Sequence, residues 1–173
     1  MMTSCVSSNY QVADTVDKGD VEVGFFIDYH SWIGVLLTTG IADNLDVGIQ
    51  ATVSSVPEIN VRYRFFSKGS DTNRLAIALK PYVGFGYLNE DDDRYYYKAG
   101  ISLIGSKKVR KTTSIFLITT YNINYLENIT IHGFKGTLGL SEDFFFLWIR
   151  PEITIDFQEK INLSPGLAIG FNF

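Results

Sequence analysis

From Asp20 to the last residue, apolar side chains recur at every second position, which is the period of a β-strand and not the 3.6-residue period of a helix. The C-terminal run is the clearest: Ile161, Leu163, Pro165, Leu167, Ile169, Phe171 and Phe173 alternate with Asn162, Ser164, Gly166, Ala168, Gly170 and Asn172. In the run before it, Phe145, Leu147, Ile149, Ile153, Ile155 and Phe157 oppose Arg150, Glu152, Thr154 and Asp156. Leu75, Ile77, Leu79, Val83 and Phe85 likewise oppose Arg74, Ala76, Ala78, Lys80, Tyr82, Gly84 and Gly86, and Ile59, Val61, Tyr63 and Phe65 oppose Glu58, Asn60, Arg62 and Arg64. Turn-forming residues cluster at 28–31, 42–44, 54–57, 68–73, 89–93, 106–111, 126–128, 141–143 and 158–160. Nine breaks predict ten strands and no helix, with an eight-stranded count open if two runs are misread. The runs at 112–125 and 129–140 alternate less cleanly and predict bulges.

The face opposite the apolar one decides between a soluble sandwich and a membrane barrel. A sandwich turns that face to water and fills it with Lys, Glu and Thr, whereas here it carries Gly, Ala and Ser with isolated charges of both signs. Small residues suit a narrow lumen in which long charged side chains must find partners. Residues 20–173 are therefore expected to form an all-β, closed antiparallel up-and-down transmembrane barrel. Its inward network would hold Arg62, Arg64, Arg74, Lys80, Lys98, Lys135 and Arg150 against Glu22, Asp46, Glu58, Glu152 and Asp156. Closure is what a bilayer demands, since an open sheet edge has no water to bond. Aromatic residues near the expected strand ends, among them Tyr63, Phe65, Tyr95, Tyr97, Tyr121, Tyr125 and Phe157, fit interfacial girdles.

Composition narrows this further. The chain has 173 residues, room for one domain, and a net charge of −4 with no concentrated basic surface, which argues against nucleic acid as a partner. No stretch of about 18 apolar residues is present, so helical spanning is not expected. Residues 1–19 are polar and aperiodic and read as a tether. The single cysteine, Cys5, follows Met2-Thr3-Ser4 in a loose likeness to a lipoprotein signal, leaving two readings open: a lipidated anchor or an incidental thiol.

Over about residues 20–173 the chain resembles the small outer-membrane β-barrel proteins of Gram-negative bacteria, the OmpA-like and opacity-type group. Three features carry the resemblance. The last strand ends in Phe173 with apolar and aromatic residues at alternate positions, Gly40 to Gly48 looks like a short periplasmic turn, and a Cys5 to Gly19 tail leads directly into the barrel. The resemblance implies the bacterial outer membrane as location, membrane lipids as surroundings, contact with barrel-assembly machinery through the strand ending at Phe173, and a monomer.

Candidate chemistry is sparse. His30 and Ser31 could supply a base and a nucleophile, but neighbours on a strand rarely face each other. Glu90-Asp91-Asp92-Asp93 lacks the ordered spacing of a calcium loop, and Lys107, Lys108, Arg110 and Lys111 form a basic turn that could touch anionic headgroups. His132 is isolated. No catalytic residue, cofactor or metal is expected, and the leading function is a structural or surface barrel with a narrow lumen plugged by salt bridges. Alternatives are a soluble lipocalin-like barrel for an apolar ligand, which would point its apolar residues inward, a small-solute channel, and a membrane-embedded hydrolase.

Overall fold

The computed structural model describes residues 11–28, 33–53, 55–89, 92–126, 129–157 and 161–173. Ten strands follow in order: β1 (Val21–Asp28), β2 (Gly34–Ala42), β3 (Leu45–Thr52), β4 (Ser55–Ser70), β5 (Asn73–Asn89), β6 (Asp92–Lys108), β7 (Thr113–Leu126), β8 (Ile129–Phe144), β9 (Leu147–Asp156) and β10 (Asn162–Asn172). Each pairs antiparallel with its neighbours in sequence, and β1 pairs with β10 to close the barrel. The seam ends on reciprocal bonds of 2.8 Å between the backbones of Val21 and Phe173, so no ladder edge is left open there. Each expected break but the one at 141–143 falls at or beside a junction between two strands.

Alternation along each strand sorts side chains to the two faces of the wall. On β2 and β7 buried and exposed positions alternate with almost no interruption. Two expectations fail in detail. The turn between β8 and β9 is Phe145-Phe146, not 141–143: Ser141 and Asp143 remain in the strand, and Phe145 adopts φ 50° at full exposure instead of standing on the wall. Nor do the runs at 112–125 and 129–140 carry bulges, since β7 and β8 pair without slip from Thr113↔Glu142 to Leu126↔Ile129. The register shifts lie elsewhere, between Gly40 and Ala42, Gln50 and Thr52, Arg64 and Phe66, and Tyr87 and Asn89.

One end of the barrel, here the terminal end, holds Val21, Phe173 and the turns β2–β3, β4–β5, β6–β7 and β8–β9; the remaining turns lie at the far end. The residues read as a tether differ from that reading where they are described. Residues 11–17 run inside the wall, with Gln11 and Ala13 buried, and reach β1 through a bridge from Lys18 to Gly40.

Candidate functional site

The interior holds the polar chemistry of this chain. Among the described residues, buried charges number five of each sign: Arg62, Lys80, Lys98, Lys135 and Arg150 against Glu22, Asp46, Glu58, Glu152 and Asp156. Arg64 and Arg74 are half-buried at the terminal mouth. Alternation brings these residues inward from different strands, and the register brings them together. Arg150 on β9 reaches across β10 to Glu22 on β1, with bonds of 2.6 and 3.3 Å, and donates a third to Ser141 at 3.1 Å. Arg62 grips Asp46 on the adjacent strand through Nε at 3.0 Å and Nη2 at 2.5 Å. Lys98 bonds Glu58 two strands away, and Lys135 faces Asp156 at 3.7 Å. Lys80 lies within electrostatic reach of Glu58, Arg62, Glu152 and Lys98. An ion taken from water is tolerated inside only when a counter-charge comes with it, and these pairings supply the counter-charge.

Between the ion pairs sit hydroxyl pairs, Ser102 with Thr120 and Thr137 with Thr154, each at 2.8 Å, and Tyr96 donating to Asn124 at 2.7 Å. Inward aromatic rings lie among these groups. Trp148 lies under the Arg150 guanidinium, 4.0 Å from ring centre to cation, a cation–π geometry. The inward glycines make room for it: a Cβ on Gly24 would stand 2.6 Å from the indole, and Gly170 touches the same ring. Phe26 rests on Gly34, Phe116 on Gly139 and Tyr82 on Gly100 in the same manner. Small residues on the inner face thus seat large ones as well as charges, a partition that alternation alone did not reveal.

Residues 11–17 lie in the terminal half. Ala13 and Val12 pack with Ala76, Ala78, Ile104, Phe116 and Ile118, so the inner face of β7 is apolar where it meets this segment. Gln11 donates to Thr38 at 3.0 Å and Thr15 to the Asp43 carbonyl at 3.0 Å. The Arg62 Nη1 donates to the Val12 carbonyl at 2.7 Å, and the Val16 amide donates to Asp46 at 3.0 Å. Asp14 accepts from both Arg64, at 3.2 Å, and Arg74, at 2.9 Å. These two arginines therefore find their carboxylate on the N-terminal segment and not on the wall. Gly40 is required beneath it, because a Cβ there would collide with the backbone of Val16 and Asp17.

The outer wall is the reverse of the inner one. Among the described residues, forty large apolar or aromatic ones are exposed, against fifteen buried hydrophobic ones. Aromatic contacts lie at the far end, Phe85 with Tyr97 at 5.1 Å, Tyr97 with Tyr125 at 6.2 Å and Phe134 with Phe157 at 5.9 Å, while at the terminal end Phe146 stacks on Phe171 and Phe171 meets Phe173 at a tilt. His132 points outward and bonds the Tyr121 hydroxyl through Nδ1 at 2.7 Å. The basic residues Lys107 to Lys111 span the end of β6 and the β6–β7 turn at the terminal end, where the Val109 and Arg110 amides donate to the Thr113 carbonyl. Cys5, His30, Ser31, Glu90 and Asp91 lie outside the described residues.

No protein-family model and no curated protein matches the sequence. Among solved structures, the N-terminal β-barrel domain of Pseudomonas aeruginosa OprF is similar, with a TM-score of 0.36 and 14% identity over 90% of this chain and 98% of that one.

Proposed function

We propose that this chain is an outer-membrane barrel with a structural or surface role, and that its interior is closed to solutes. The inversion of the wall carries the reading: apolar residues cover the outside while paired charges occupy the inside. A water-soluble monomer rarely leaves a contiguous apolar patch of more than a few hundred square ångströms, and an outside of this kind suits lipid. The dimensions agree. From Phe134 to Phe144 on β8 there are ten residue steps, which at about 3.4 Å each and a tilt of about 40° give a height of about 26 Å, against an apolar band of about 25 Å in bilayer-spanning barrels. A lipocalin-like carrier would place Val, Ile and Phe inward and its charges outward, the opposite of this wall.

Closure of the lumen draws on three observations: the ion pairs, the inward aromatic rings and the segment 11–17. About ten strands enclose a space that side chains can nearly fill, whereas open aqueous pores belong to barrels of about 16 strands. With the start of β1 and the end of β10 at one end of the barrel, assembly through the strand ending at Phe173 would put that end in the periplasm. A tag inserted at Asp92 is then labelled on intact cells and one at Lys108 is not. The reverse labelling would overturn the orientation, and no labelling of either in cells whose membrane fraction lacks the protein would overturn the location.

A further inference from the structure

We infer that the terminal mouth of the barrel is a binding site for an acidic peptide, and that residues 11–17 are its resident ligand. The wall is complete without them: β1 pairs with β10, and the segment adds only the bridge from Lys18 to Gly40. It is held the way a docked peptide is held. Arg62 takes one backbone carbonyl, Asp46 takes one backbone amide, a carboxylate sits between two guanidinium groups, and a methyl group fills an apolar seat. Gln11 and Val12 are held deep in the seat, by the Thr38 hydroxyl and by the apolar cluster, and Ala13 and Asp14 follow, so recognition asks for a small residue followed by an acidic one behind them. Peptides captured by main-chain bonds and a few side-chain pockets follow this logic.

Charge gives the site its preference. The buried inward charges balance at five of each sign, and the half-buried Arg64 and Arg74 add two cations at this mouth. Asp14 answers only one of the two surplus charges. Its carboxylate is 20% exposed and its partners 19% and 27%, so the clamp opens to solvent on the terminal side, where an incoming carboxylate can compete. The partner this fits is an acidic peptide reaching the barrel from its terminal end.

The inference rests on the closed interior proposed above and is tested separately from it. In the full chain with Cys5→Ser and Ala13→Cys, the thiol at 13 lies in the fully buried seat and reacts with a maleimide only when the segment leaves. A synthetic peptide of residues 11–19 should accelerate that reaction at least tenfold at saturation, and the same peptide with Asp14→Asn should not. Unchanged labelling by either peptide overturns the site, and equal acceleration by both overturns the carboxylate preference. Heat-dependent gel mobility of the same samples reports whether the barrel is folded, independently of the segment. Should Ala13→Cys fail to fold, binding of the fluorescently labelled peptide supplies the answer: the full-chain Asp14→Asn variant should bind it at least tenfold more tightly than the unmodified chain, and Arg64→Gln/Arg74→Gln should lose it. Equal binding by all three overturns the inference.

Discussion

Replacing Arg150 with Met leaves the Glu22 carboxylate inside the barrel without its counter-charge. The pair joins β9 to β1 across β10, it is doubly bonded, and its side chains are 4% and 5% exposed, so water screens it little. Removing one member of such a pair costs about 3–5 kcal/mol, which is two to nearly four powers of ten in the folding equilibrium. Removing both is different. Glu22→Leu/Arg150→Met takes away the desolvated charges together and should return the barrel to the unmodified stability or above it, because a buried pair repays its desolvation only partly. Reversible unfolding in urea with lipid vesicles measures both variants, and Trp148 beneath Arg150, one of two tryptophans, provides the fluorescence signal. A single-variant loss under about 1 kcal/mol, the range of exposed pairs, with additive effects in the double variant, would show that water solvates the pair and that the interior is not closed there.

Three further outcomes follow from the same structure. Leu138→Arg places a charge on the outer wall at a residue 57% exposed, and near the bilayer midplane it should cost about 2–4 kcal/mol in vesicle refolding while Thr137→Ser on the inner face changes little; equal small effects would mean that both faces see water. Gly24→Ala drives a methyl group into the Trp148 ring and should destabilise by about 1–3 kcal/mol with a shifted Trp148 emission maximum, whereas unchanged emission would argue that the ring is not seated there. In planar bilayers the purified full chain should show no stable large conductance, and reproducible porin-sized steps would refute the closed lumen.

Strand number and the two faces were legible in the sequence because nothing in a strand competes with the two-residue period when one side meets apolar surroundings and the other polar ones. The irregular run at 112–125 shows where that signal fades. Phe116 and Ile118 point inward onto Val12 and Ala13, so β7 is apolar on both faces over those turns of the pleat and its alternation looks broken although its pairing is not. The turn at Phe145-Phe146 was hidden for a similar reason, since aromatic residues favour strands and Ser141-Glu142-Asp143 reads as a turn. The lumen position of residues 11–17 left a trace only in the charge count. Arg64 and Arg74, added to five buried charges of each sign, called for a carboxylate from outside the wall, and Asp14 was within the segment that polarity alone assigned to a tether. Geometry was needed to join them because Asp14 lies 50 residues from Arg64 and 60 from Arg74 along the chain.

The account turns on which face of the wall meets lipid. Single cysteines placed in a Cys5→Ser background at Leu103, Leu138 and Leu167 on the outer face, at Thr137 and Ser102 on the inner face, and at Phe85 and Phe144 near the two aromatic bands can carry a fluorophore quenched by nitroxide lipids of graded depth. The account predicts strong quenching of the three leucine positions by nitroxides near the bilayer centre, quenching of positions 85 and 144 by shallow nitroxides, and none at 102 or 137. Equal quenching of the two faces, or none at the outer one, would contradict it.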